Sequence, residues 1–314
     1  MLLLWADPAL SPGLLALEAQ TGVSVIDDLG QVIKLPRPAV RVIALYGAFN
    51  EILGSLGRAD VIVARTNADR LPANIARLPV IGTHLRPNIE AVLAQRPDLV
   101  LQLAGRKEAS LPVEALKKRG VRVAVFRAAT FAELFSVIQR VGILTGSEGR
   151  AEDMVRGLEA RLTALEYRLA GAARPRVFFE VRSPNLLAAG QTGLVGEIIR
   201  RAGGVNCVED KAKFARLSEE EIIRLAPTAF LIQRGPMNPA PLPLTSRPRL
   251  RAIPAAQSGR AWFVDEQKYS RPGPRNVDAA EELAGLLHPE LAAPEAKPVH
   301  DPKPATGAKQ KDRK

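Results

Sequence analysis

The sequence predicts an α/β protein built as two lobes joined by one long helix. Three observations carry that prediction. Short apolar segments alternate with helical patterns along most of the chain, as parallel sheets require. The alternation stops once, mid-chain, where Val155, Leu158, Leu162, Leu165 and Leu169 form one apolar stripe at steps of three and four. The halves on either side echo each other: "RPNIEAVLAQRPDLVLQLAGR" and "ARLSEEEIIRLAPTAFLIQRG" each read as helix, proline turn, strand, arginine. A single continuous sheet is the alternative.

The first regular element is "SVIDDLGQVIKL", a hairpin turning at Asp28-Leu29-Gly30, with Asp27 and Asp28 serving the turn. "RVIALY" (41–46) follows as a buried strand, and "NEILGSLG" (50–57) as a helix stopped by Gly57. "DVIVA" (60–64) is a strand, "PNIEAVLAQR" (87–96) a helix opened by Pro87, and "DLVLQL" (98–103) a strand. "PVEALKKRG" and "VRVAVF" (121–126) complete the first set. Two consecutive helices come next. The alternation then restarts with "RVFFEV" (176–181), "GLVGEIIRRAGG" (193–204), "SEEEIIRLA" (218–226), "TAFLIQ" (228–233), "AWFVD" (261–265) and "RNVDAAEELAGLLH" (275–288). The expected organisation is therefore a leader or disordered segment over 1–22 and a first lobe over 23–145. A connecting helix over 146–171, a second lobe over 172–291 and a disordered basic tail over 292–314 complete it.

The bulk numbers narrow the function. Of 314 residues, 46% are hydrophobic and 25% charged, which supports a substantial core. The net charge of +11 admits nucleic acid, an anionic surface or an anionic small ligand. With 4% aromatic residues and arginines scattered rather than clustered, nucleic acid is not expected. One cysteine and three histidines exclude an internal disulfide, a cysteine cage and a multi-histidine metal site. No apolar run reaches the ~20 residues of a membrane helix. The opening "MLLLWADPALSPGLLALEAQ" lacks a basic n-region and is broken by prolines. It reads as the remnant of a signal that begins upstream, or as a lead-in.

Ligands of parallel α/β sheets sit beyond the carboxyl ends of the strands. Those ends carry Tyr46, Arg65, Arg106, Arg127, Arg182 and Arg234, and the loop after "AWFVD" carries Tyr269 and Arg271. Abundant arginine at exposed strand ends is the plain explanation for any one of them. As a set drawn from both halves, they predict a cleft for an anionic ligand held by planar paired donors. His84 is either an axial metal ligand in that cleft or a polar lining residue. Arg275 is either a ligand contact or a local partner of Asp278. No nucleophile elbow, Walker loop or dinucleotide fingerprint is present, so no catalytic residue and no cofactor are expected.

Taken in order, these features resemble the substrate-binding proteins of ABC importers for iron–siderophore complexes, haem and vitamin B12. The carriers are "DDLGQVIKLPRPAVRVIAL", "NEILGSLG", "RPNIEAVLAQRPDLVL", the mid-chain helix, "GEIIRRAGGVN", "LSEEEIIRLAPTAFLI" and "SRPGPRNVDAAEELAGLLHPEL". The resemblance implies two Rossmann-like lobes, a ligand between them, slight closure on a stiff connector and no enzymatic activity. It implies a monomer in the periplasm or exported to the cell surface. Its partner would be an ABC permease with its ATPase subunits. It also implies that Glu51 in "NEIL" and Glu197 in "GEII" dock onto permease arginines. A ferric siderophore is the leading cargo, with haem and cobalamin as further ones. A cytoplasmic tetrapyrrole- or metal-handling enzyme or chaperone of the same fold is the alternative.

Overall fold

The computed structural model describes residues 22–105 and 107–291. The segments 1–21 and 292–314, and Arg106, lie outside the described residues. The described residues open with a hairpin, β1 (Val23–Ile26) antiparallel to β2 (Val32–Leu35). Its turn is closed by Asp27, whose Oδ1 accepts the backbone N–H groups of Leu29 and Gln31, both at 2.9 Å.

The first lobe holds β3 (Val42–Ala44), α1 (Ala48–Ser55), β4 (Ile62–Ala64), α2 (Ile89–Ala94), β5 (Leu99–Leu103), α3 (Ser110–Lys117) and β6 (Val123–Phe126). The strands form one parallel sheet in the order β4-β3-β5-β6. In β5 and β6 side chains on both faces are buried, which is why they read as continuous apolar runs. Pro87 does not open α2. Asn88 caps it, its Oδ1 accepting from Ala91 N at 3.0 Å.

Two helices follow, α4 (Phe131–Thr145) and α5 (Glu148–Arg168). Between them Gly146 sits at φ 63, a left-handed turn that a side chain would strain. Ala151, Val155, Leu158, Leu162 and Leu165 form the buried face of α5. The remaining described residues build a second sheet and its helices from β7 (Arg176–Arg182), β8 (Leu187–Ala189), α6 (Leu194–Arg201), β9 (Val205–Asn206), β10 (Phe214–Arg216), α7 (Glu219–Leu225), β11 (Ala229–Arg234), α8 (Pro254–Gln257), β12 (Ala261–Asp265), α9 (Glu266–Tyr269) and α10 (Arg275–Leu287). Its order is β10-β8-β7-β11-β12, with β9 also on β7. The strands β7, β9, β11 and β12 run parallel, while β8 and β10 add antiparallel edges.

Two separate sheets replace the alternative of one continuous sheet. The helix α5 is tied to both lobes. Arg150 Nη1 donates to Leu56 O at 3.1 Å in the first lobe. Arg161 Nη2 reaches Asp278 Oδ1 and Glu281 Oε2 of α10, each at 2.6 Å, and Glu166 pairs with Arg201 of α6. One apolar cluster runs from the first lobe through α4 and α5 to α10.

Candidate functional site

A cavity of about 480 Å³ lies between the lobes, within the range of small-ligand sites. The first lobe supplies one wall from the end of β5, the start of α3 and the end of β6. The second lobe supplies the facing wall from the β8–α6 connection, β10 and the loop after α9. Leu29, at the hairpin turn, reaches it too. These walls are mostly apolar: Leu103, Ala128, Leu194, Val195 and Phe214 among them. Its charged lining is Glu114, Arg127 and Lys213, all exposed to solvent. Lys213 Nζ lies 5.4 Å from the Phe214 ring centre.

A polar cluster adjoins this cavity. The Tyr46 and His84 rings meet edge to face at 5.6 Å. The Arg271 guanidinium lies 5.9 Å from the Tyr46 ring centre, and its Nη1 is 3.9 Å from Asp69 Oδ1. Asp69 is buried and is fixed by Thr66 N at 3.0 Å and Asn50 Nδ2 at 3.1 Å, both donating to Oδ2. Gly47 makes this approach possible. A Cβ there would lie 1.9 Å from Asp69 Oδ1 and 2.8 Å from Arg271 Nη1. The cluster and cavity share a boundary: Ser270 and Pro272 line the cavity on either side of Arg271, and the lining residue Gln102 places Nε2 3.5 Å from His84 O.

Electrostatics set the protonation of this cluster. Burial pushes the Tyr46 phenol above its ordinary 10.0 despite the opposing Arg271 charge, so it is a hydroxyl at neutral pH. Burial also raises the Glu266 carboxyl, against the N–H of Met237 and the charge of Arg271. The loop bearing Arg271 is held from below by Asn276, which is fully buried. Asn276 Oδ1 accepts from Gly273 N at 2.6 Å, and its Nδ2 donates to Lys268 O at 2.7 Å.

The sequence-derived residues distribute unevenly. Tyr46, His84 and Arg271 come together as described. Arg182 and Arg234 end the neighbouring parallel strands β7 and β11. Arg182 keeps a buried Nε without a hydrogen-bond partner, and Arg234 lies 4.3 Å over the Phe263 ring. Arg65 instead braces its own loop, donating to Ala76 O at 3.0 Å and Thr66 O at 3.2 Å. Tyr269 is corrected to a core residue: it has no exposed surface, packs 6.0 Å from Phe179 and donates to Glu282 Oε1 at 3.1 Å. Of the described members of the set, Arg127 alone lines the cavity wall itself.

Two further residues have partners that the sequence did not indicate. Arg275 does not pair with Asp278, which Arg161 occupies. It reaches Glu51 of the other lobe, Nε to Oε2 at 2.8 Å. Glu197 pairs within α6 to Arg200 at 3.1 Å. The cavity's own charges were only half visible. Arg127 was marked by its strand end, whereas Lys213 immediately precedes β10, which is too short to show a period.

The comparisons with known proteins agree with this architecture. The chain is 26% identical over 274 residues to the uncharacterized ABC transporter substrate-binding lipoprotein YvrC of Bacillus subtilis, covering 85% of this chain and 86% of that one. It is 25% identical over 251 residues to a vitamin B12-binding protein of Pectobacterium carotovorum, covering 79% and 88% of the two chains. Among solved structures, the periplasmic haem-binding protein BhuT in complex with two haems superposes with a TM-score of 0.69 at 26% identity, covering 80% of this chain and 99% of that one. The model of the periplasmic binding protein family matches residues 42–267, and this chain, with its two lobes, bridging helix and inter-lobe cavity, belongs to that family.

Proposed function

We propose that this protein is the substrate-binding component of an ABC importer, working outside the cytoplasm and passing a metallated tetrapyrrole with carboxylate side chains to a membrane permease. The observation that carries the cargo class is the cavity: apolar walls from both lobes, with Arg127, Lys213 and the neighbouring Arg271 as its cations. A large apolar body gains from burial against such walls. Peripheral carboxylates meet the guanidinium and ammonium groups through charge-assisted bonds. In this reading the exposed His84, edge to face with Tyr46 at the cavity's border, meets the metal. A ferric siderophore, the leading expectation from sequence, presents a polar, highly charged shell that these walls match less well. Arg182 and Arg234 remain further contacts on the second lobe, and Glu51 and Glu197 the permease-docking carboxylates.

The test is thermal melting of the purified protein with haemin, cyanocobalamin and a ferric tris-catecholate. A ligand at about 100 times its Kd stabilises the fold by about 2.7 kcal/mol. Haemin is expected to raise the melting temperature most, and reversing the cavity charges with Arg127→Glu and Lys213→Glu to remove most of that rise. A rise with the catecholate alone, or with none of the three, overturns the tetrapyrrole assignment.

A further inference from the structure

We propose that the Glu51–Arg275 ion pair is a latch between the lobes that permease docking opens; this rests on the docking role given to Glu51 above. Glu51 stands in the first turn of α1 and Arg275 is the first residue of α10, 224 positions apart, so the pair spans the two lobes.

The pair is only half made. A guanidinium and a carboxylate can meet through two parallel bonds. Here one forms, Nε to Oε2 at 2.8 Å. Glu51 Oε1 and Arg275 Nη2 are both buried without a hydrogen-bond partner. A buried polar atom left unmet is costly. An incoming donor that completes Glu51 therefore gains more than it would at a satisfied carboxylate.

Arg275 also has a second partner within reach. Its Nη1 lies 3.9 Å from Asp265 Oδ2, on its own lobe, and the Asp265 side chain is 55% exposed. When a permease guanidinium takes Glu51, Arg275 turns to Asp265 and neither charge is stranded. Glu197 offers no such exchange, because its partner Arg200 lies on the same helix. The two docking carboxylates are thus unequal: Glu197 is a grip, and Glu51 is a grip that also releases a contact between the lobes. The release reaches the cargo site directly. Arg275 closes the loop that carries Ser270, Arg271 and Pro272, and Ser270 and Pro272 line the cavity.

The test places nitroxides on the exposed positions Glu90→Cys in the first lobe and Arg224→Cys in the second, leaving the buried Cys207 unlabelled. Pulsed EPR then reads the distance between lobes in the full chain carrying Arg275→Met, Glu51→Gln or both. Each single change is expected to lengthen and broaden the distribution, and the double change to add nothing further. Docking is read separately, with the producing organism's permease–ATPase complex in nanodiscs. Arg275→Met, which frees Glu51, is expected to bind about three- to tenfold more tightly, and Glu51→Gln more weakly. Arg275→Lys, which keeps the charge without the fork, is expected to fall between wild type and Arg275→Met in both readouts. Unchanged distances with weakened Glu51→Gln docking overturn the latch alone. Unchanged docking by Glu51→Gln overturns the docking role and, with it, the opening of the latch.

Discussion

Asp69 holds Arg271 in place, and its removal makes a quantitative test of the cleft. Its side chain is 2% exposed, and its Oδ2 takes both strong donors, Thr66 N at 3.0 Å and Asn50 Nδ2 at 3.1 Å. Asp69→Ala strands both donors in the interior. Each unmet buried donor costs about 1–3 kcal/mol, partly offset because a buried carboxylate is no longer desolvated. The expected loss is about 2–4 kcal/mol, a fall of about 1–2 M in the urea midpoint for a typical slope. Asp69→Asn behaves differently. The amide oxygen can keep both donors, while its NH2 replaces Oδ1, the atom 3.9 Å from Arg271 Nη1. Stability then falls by less than about 1 kcal/mol, yet Arg271 loses its anionic partner and haemin affinity changes. Urea unfolding of the three proteins, followed by haemin titration, gives both readouts. Asp69→Ala within about 0.5 kcal/mol of wild type, or Asp69→Asn as damaging as Asp69→Ala, refutes the network described.

Two other perturbations follow from the same accounting. Glu180 is fully buried and forms a paired contact with Arg247, itself 7% exposed, which also donates to Leu242 O at 2.6 Å and so pins the 235–247 loop to β7. Arg247→Met leaves an unpaired buried carboxylate and should cost about 3–5 kcal/mol, whereas adding Glu180→Leu should recover much of the loss; chemical unfolding of both variants checks this. Burial opposes ionisation of Asp28, but the Arg140 hydrogen bond and charge and the Arg127 N–H outweigh it, holding the carboxyl below its ordinary 3.8. A depressed folded pKa means its contribution is present above 3.8 and lost as pH falls through the folded value. The melting-temperature gap between wild type and Asp28→Asn should therefore be widest near neutrality and close below that pH.

Much of the fold was legible because parallel strands and amphipathic helices write their periods into the chain. "DLVLQL" and "VRVAVF" are apolar on both faces, and the stripe from Val155 to Leu165 could face only a core. The antiparallel edge of the second lobe was not legible, since β8 and β10 are three residues each, too short to show a period. The site was legible in its polar half. Strand-end position found Tyr46 and Arg127, and the stiff "SRPGPR" loop marked Arg271. It misassigned Tyr269, because a single turn of helix, α9, rotates that ring inward onto Phe179. The apolar walls were hidden because residues such as Ala128, Leu194 and Phe214 look like core until the opposite lobe is set at a distance. Arg275 shows the same limit. Its partner is 224 residues away, beyond any local pattern.

The central claim is that a large, mostly apolar anionic chelate fills the inter-lobe cavity. The most direct measurement is calorimetric titration of haemin into wild type and Ala129→Trp. Ala129 lines the cavity and is exposed, so an indole there occupies ligand space without entering the core. The account predicts saturable binding to wild type and at least a tenfold weaker Kd, about 1.4 kcal/mol, for Ala129→Trp with an unchanged melting temperature in the absence of ligand. Equal affinity in the two proteins would contradict it.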